Sequence, residues 1–143
     1  DVMAKDEPDL RSELECFPVI DPGVEVLGDR ILVQLRREKN TSKGGIILVD
    51  ETRQTLRFNE TVAKVLQIGP LAYKSPDDLT PWVEGPWCKV GDLVRTIKYG
   101  GDRFVVQPDD EGAPVVFITI QAREVISKIK SFEAAQKMKA FVD

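Results

Sequence analysis

The carboxylates come in two dense groups outside the N-terminal arm: Asp77-Asp78 and Asp109-Asp110-Glu111. Such groups could hold a hard cation, but a calcium loop needs about six to eight oxygens at fixed spacing. Neither group carries the D-x-D-x-D-G pattern, and both sit beside Pro or Gly, so both read as exposed turns. Gly100-Gly101 could cradle a phosphate, yet no G-x-G-x-x-G or G-K-[ST] accompanies it, and a hairpin turn is expected there. Cys16 and Cys88 could form one disulfide; two buried free thiols are the expectation. The chain has no histidine. That removes Ser-His-Asp and Cys-His machinery and the commonest zinc ligand. Serines and threonines lack a recognisable base beside them. The expectation is a protein that is not an enzyme and has no metal and no cofactor.

One stretch resists this reading. In "NTSKGGIILVDET", residues 40–52, a polar run ends in Gly44 and Gly45, and Ile46, Ile47, Leu48 and Val49 follow without a break. Either these are a tight turn and a buried strand, or they are held out for a partner.

Elements must position that stretch. With 143 residues the chain suits one domain with extensions, and 42% apolar content is enough to build a core. A net charge of −4 argues against a sequence-independent nucleic-acid binder, since the densest basic spot is only Arg36, Arg37 and Lys39. No run of eighteen apolar residues offers a membrane span. Residues 1–22 read as a loosely held acidic arm, unlike a signal peptide, with a short helix in "DLRSELECF" capped by Asp9.

From Gly28 the texture is β. "DRILVQLRRE" alternates, with Ile31, Val33 and Leu35 on one face and Leu32, Gln34 and Arg36 on the other. "ETVAKVLQIG" alternates less cleanly. "VGDLVRTIKY", "DRFVVQP", "PVVFITIQ" and "REVISKIK" add strands, with a hairpin around Gly112. Short, regularly spaced strands indicate a small barrel or sandwich. Between Gly69 and Val90, four prolines exclude a central strand, and Trp82 and Trp87 are expected to anchor a long loop or irregular hairpin by burying their rings. After Ser131 the period becomes helical: Ala134, Met138 and Phe141 share a face, expected to pack on the chain's own barrel rather than on a neighbouring subunit.

The order of these signals resembles the chaperonin-10 (GroES-type co-chaperonin) family. Gly28-Asp29-Arg30-Ile31-Leu32-Val33 looks like its opening strand. Thr41-Ser42-Lys43-Gly44-Gly45-Ile46-Ile47-Leu48 resembles its mobile loop. Glu60 to Gly69, Val90-Gly91-Asp92-Leu93-Val94 and Glu124 to Ile129 resemble its later strands. The departures are Val49-Asp50 where the family commonly has Pro, Glu60 where it has Gly, the two tryptophans in the roof-loop position, and both terminal additions. Such divergence is similar to that of viral co-chaperonins. The resemblance implies an all-β fold: a small, partly open GroES-like β-barrel over 23–130, with a mobile loop at 38–58 and a roof-like loop at 70–89. An N-terminal extension, 1–22, and a short C-terminal helix, 131–143, flank it. It implies a cytoplasmic ring, usually a heptamer, that closes a GroEL-type chaperonin ring during ATP-dependent protein folding, without nucleic acid or membrane. If the source is viral, the cytoplasm is the host's. Gly44, Gly45, Ile46, Ile47 and Leu48 would bind the chaperonin. Burying three aliphatic side chains yields roughly 4–9 kcal/mol. Ordering about eight residues costs on the order of 8–16 kcal/mol. One loop should therefore bind weakly and a ring of them usefully. The alternative implied by the additions is a structural assembly protein, a viral shell or connector subunit found in the virion.

Overall fold

A computed structural model describes residues 10–37, 60–98, 100–109 and 112–138. All six segments read as β become strands: β1 (Arg30–Leu35), β2 (Val62–Ile68), β3 (Leu93–Thr96), β4 (Asp102–Val106), β5 (Val115–Gln121) and β6 (Val125–Lys128). They form one antiparallel sheet in the order β4-β5-β1-β2-β3-β6. Ile31, Val33 and Leu35 face the main core with Ala63, Val65, Val94, Val116, Ile118, Ile120 and Val125. The sheet thus wraps its β1, β2, β3, β5 and β6 side chains round one apolar centre, the all-β, barrel-like fold expected.

The imperfect alternation of β2 has a local cause. Leu32 pairs with Gln67 and Val33 with Val65, so Leu66 is an extra residue on β2. A bulge of this kind shifts the side-chain parity. Ala63 and Val65 point into the main core before it, and Ile68 packs there after it.

The second face of β1 is not the solvated face its polar residues suggest. Leu32 is fully buried with Val26, Val115 and Phe117, and Gln34 and Arg36 are buried too. The cover comes from the terminal segments. Helix α1 (Glu13–Cys16) is closed by a capping box in which Ser12 Oγ accepts from the Glu15 amide and Glu15 Oε1 accepts from the Ser12 amide. Ser12 is therefore the cap; Asp9 lies outside the described residues. Helix α2 (Phe132–Gln136) begins at Ser131, whose hydroxyl accepts from the Ala134 amide at 3.1 Å, as expected. Cys16 and Phe17 meet Val62, Leu93, Ile129 and Ala135 in a second apolar cluster, joined by Phe132, Ala134 and Met138. Burying Phe17 alone stabilises by about 1.5–3 kcal/mol. The stretch from 10 to 22 is thus fixed at Cys16 and Phe17 rather than loosely held. The C-terminal helix packs on its own barrel, although its most buried residue is Ala135; Phe141 lies outside the described residues.

Gly100 and Gly101 do not close a hairpin. Strands β3 and β4 lie in different parts of the sheet, β3 between β2 and β6 and β4 beside β5. The pair makes a corner, with φ of 100° and 71°. A Cβ on Gly101 would stand 2.8 Å from methyl groups of Ile118 and Ile120, so no larger residue fits. The β4–β5 pairing expected around Gly112 is present, with Val106 opposite Val115.

Candidate functional site

Gly44, Gly45, Ile46, Ile47 and Leu48 all lie outside the described residues. What the structure defines is the root from which their segment departs and to which it returns. Arg36 and Arg37 continue β1, and Glu60 and Thr61 lead into β2. These two ends lie side by side, because the Arg36 amide donates to the Val62 carbonyl at 2.9 Å.

The root is fastened by a buried ion pair. Arg36 Nε donates to Glu60 Oε1 at 2.7 Å and Nη2 reaches Oε2 at 3.3 Å, with only 6% and 5% of the two side chains exposed. Two charges removed from water need their remaining hydrogen bonds satisfied. Here they are. Arg36 Nη1 donates to the Ala135 carbonyl in the last turn of α2 at 2.8 Å, and Nη2 to the Met138 carbonyl just beyond it at 2.7 Å. Glu60 Oε2 accepts from the Thr61 and Val62 amides at 3.0 and 3.1 Å. The fork of a guanidinium suits this bidentate and branching geometry; an ammonium could not reproduce it.

Neighbouring polar residues fasten the N-terminal segment and the β4–β5 connection in the same way. The Arg37 amide donates to the Cys16 carbonyl at 2.8 Å and its Nε to the Ala113 carbonyl at 2.8 Å. Gln34 Nε2 donates to the Pro18 carbonyl, and Gln67 exchanges hydrogen bonds with the backbone of Val24 and Val26. Lys64 pairs with Glu13 at 3.0 Å, but both are partly exposed and the contact contributes little. The arrangement holds backbone in place. Among the described residues, no group of three or more Cys, Asp or Glu is placed to bind a metal, and no helix is long and apolar enough to cross a membrane.

Sequence reading missed the Arg36–Glu60 pair, although both residues drew notice, one in the basic spot and one in place of a glycine. The usable signal was their opposite charge at the facing ends of adjacent antiparallel strands.

The second long connection, 69–91, is the irregular hairpin expected. Lys74 bridges to Pro81, and the Ser75 amide donates to the Thr80 carbonyl at 2.8 Å. Asp78 sits in an exposed turn and accepts from the Thr80 amide and hydroxyl, which hold its carboxyl below the usual range. Trp82 and Trp87 are half-buried against the main core and Tyr73 is fully buried there, with ring centroids 5.2–5.6 Å apart within the trio. The Tyr73 hydroxyl donates to the Ala122 carbonyl at 2.9 Å and lies 3.4 Å from Cys88 Sγ. Burial pushes the ionisation of both Tyr73 and Cys88 upward. Cys16 and Cys88 are both buried thiols outside any disulfide, as expected.

Comparison with known proteins gives this frame a lineage. Residues 23–129 match the family model described as "Chaperonin 10 Kd subunit". The chain is 32% identical over 107 residues to the co-chaperonin GroES of Chlamydia pneumoniae, covering 75% of this chain and 91% of that protein. It is 32% identical over 104 residues to the GroES of Chlamydia felis, with 73% and 88% covered, and 31% identical over 107 residues to that of Chlamydia muridarum, with 75% and 91% covered. The matched span runs through both strands of the root and the segment between them, and the chain belongs to the chaperonin-10 family.

Proposed function

We propose that this chain is a co-chaperonin subunit, a lid that binds a GroEL-type chaperonin and assists ATP-dependent folding without covalent chemistry of its own. The observation that carries this reading is the family match across 23–129, which includes the apolar triplet and both of its supporting strands. In this reading Ile46, Ile47 and Leu48 enter an apolar groove on the chaperonin, and Gly44 and Gly45 let the backbone turn toward it. Residues 38–58 are the docking loop, 70–89 the roof, and 23–130 the barrel, flanked by the extensions 1–22 and 131–143. The subunits form a ring, a heptamer, in the cytoplasm. A ring makes each docking event after the first intramolecular, so weak contacts sum to a useful avidity and still release when the chaperonin changes state.

The test mixes the protein with a GroEL-type chaperonin and ATP. Co-migration and a lowered ATPase rate are expected, and native mass measurement should give a closed ring. Ile47→Asp should abolish both effects while leaving the thermal unfolding transition unchanged. Equal behaviour of wild type and variant would reject the loop assignment. Recovery of the chain only from purified viral particles, with no effect on chaperonin, would reject the co-chaperonin reading.

A further inference from the structure

The Arg36 guanidinium joins three parts of the chain that are remote in sequence. Glu60 is 24 positions away, Ala135 is 99 and Met138 is 102. Helix α2 spans only Phe132–Gln136. Isolated helices shorter than about 12–15 residues are marginal in water, so α2 exists because it is tied down. Its ties are the apolar contacts of Ala135 and its neighbours, the Ala135 and Met138 carbonyls that end on Arg36, and two weaker contacts, Gln136 Nε2 to the Arg11 carbonyl at 3.3 Å and Arg95 Nη1 to Met138 Sδ at 3.6 Å. On the other side, Glu60 fixes the first amides of β2, and the Thr61 carbonyl accepts from the Thr96 amide at 2.9 Å.

We propose that Arg36, Glu60 and the end of α2 form one clasp, which couples the C-terminal tail to the root of residues 38–59 and makes Arg36 a positioning residue for docking. The tail and the root tighten or loosen together, because the same buried guanidinium completes both. Coupling is reciprocal by thermodynamic necessity, so a chaperonin that engages the docking segment and tightens its root also stabilises α2, and a weakened α2 lowers the affinity of docking. The docking half of this statement rests on the co-chaperonin reading; the coupling itself does not.

Native-state amide exchange on the full chain tests the coupling without any partner. Ser131→Ala removes the hydroxyl cap of α2, far along the chain from the root. Loss of such a cap should speed exchange at Lys137 and Met138 roughly three- to thirty-fold. The clasp requires that the amides of Arg36 and Thr96 speed up with them, while the Ala122 amide, bonded to Asp29, stays slow. Arg36→Lys should produce the reverse transmission, loosening Lys137 and Met138 from the root side. Acceleration confined to α2 in Ser131→Ala overturns the clasp, and this arm decides even if Arg36→Lys fails to fold. The chaperonin ATPase assay then tests the docking half. Ser131→Ala should raise the half-maximal concentration with an unchanged plateau. An unchanged midpoint despite coupled exchange overturns the positioning role. A wild-type chain with no effect on the ATPase overturns the co-chaperonin reading, and the clasp is then judged by exchange alone.

Discussion

The two long connections of this barrel are anchored by opposite physics. The root of 38–59 is held by a buried charge pair and directed hydrogen bonds to backbone. The 69–91 connection is held at its middle by packed rings, with side-chain polar contacts from Tyr73 to Ala122 and Cys88, and at its ends by backbone hydrogen bonds from Gly69, Leu71 and Gly91 to the carbonyls of Arg30, Gly28 and Val65. Ring packing is adaptable; it tolerates the left-handed backbone at Tyr73, φ 60°, which costs about 1–2 kcal/mol. A guanidinium fork is not adaptable. It is satisfied in one geometry, and it is expensive when any partner leaves. An apolar anchor supplies stability, whereas the ionic one supplies a unique register at the place where residues 38–59 leave and rejoin the sheet.

The largest effect should come from breaking the ionic anchor on one side only. Arg36→Met leaves Glu60 buried without its cation and should cost about 3–5 kcal/mol in urea unfolding. Arg36→Met combined with Glu60→Leu removes both charges and should recover most of that loss. If the double variant is as unstable as the single one, the loss lies in the orphaned backbone groups, the carbonyls of Ala135 and Met138 and the amides of Thr61 and Val62, rather than in the stranded carboxylate.

Next in size is the apolar anchor. Full truncation of a buried aromatic costs about 3–5 kcal/mol, and Trp82 and Trp87 are half-buried, so Trp87→Ala should cost about 2–3 kcal/mol. Independent sites add within about 0.5 kcal/mol. Trp87→Ala and Arg36→Met together should therefore give the sum of their separate losses. A coupling above about 1 kcal/mol would mean that the two connections are one cooperative unit, and the contrast drawn between them would fail.

How far these anchors were legible in the sequence follows from the range of their contacts. The strands were legible because alternation is a local property, and even the fault in β2 marked a real bulge at Leu66. The aromatic anchor was legible because a large ring in a proline-rich loop has few other uses. The corner at Gly100-Gly101 was misread because turn chemistry reports backbone conformation and not which strands pair. The covered face of β1 was missed for a stronger reason. Gln34 and Arg36 look like solvent-facing residues, and their partners at Pro18, Ala135 and Met138 are separated from them by up to 102 positions. No local pattern carries that information. Gly44 to Leu48, the residues proposed to dock, lie outside the described residues; what the structure adds is the support of their segment, which no local pattern showed.

The smallest effect sharpens the contrast through pH. Burial raises the ionisation of Tyr73 and Cys88 in the folded state, while in the unfolded chain they titrate near about 10 and 8.5. As pH rises past about 8.5, the unfolded chain sheds protons that the folded chain keeps, so stability falls with pH. The contribution is fully present below that point and is lost progressively above it. Tyr73→Phe removes the tyrosine's share and should flatten the decline above about pH 10. It also leaves the Ala122 carbonyl without its donor, at about 1 kcal/mol near neutral pH. Because this titration belongs to the 69–91 anchor, amide exchange between pH 8.5 and 10.5, corrected for the intrinsic rate, should rise first at the Trp82 amide, which bonds to the Tyr73 carbonyl. The Arg36 amide should lag behind it. A simultaneous rise at both would show that alkaline loosening of the aromatic cluster reaches the ionic root, and the separation of the two anchors would not hold.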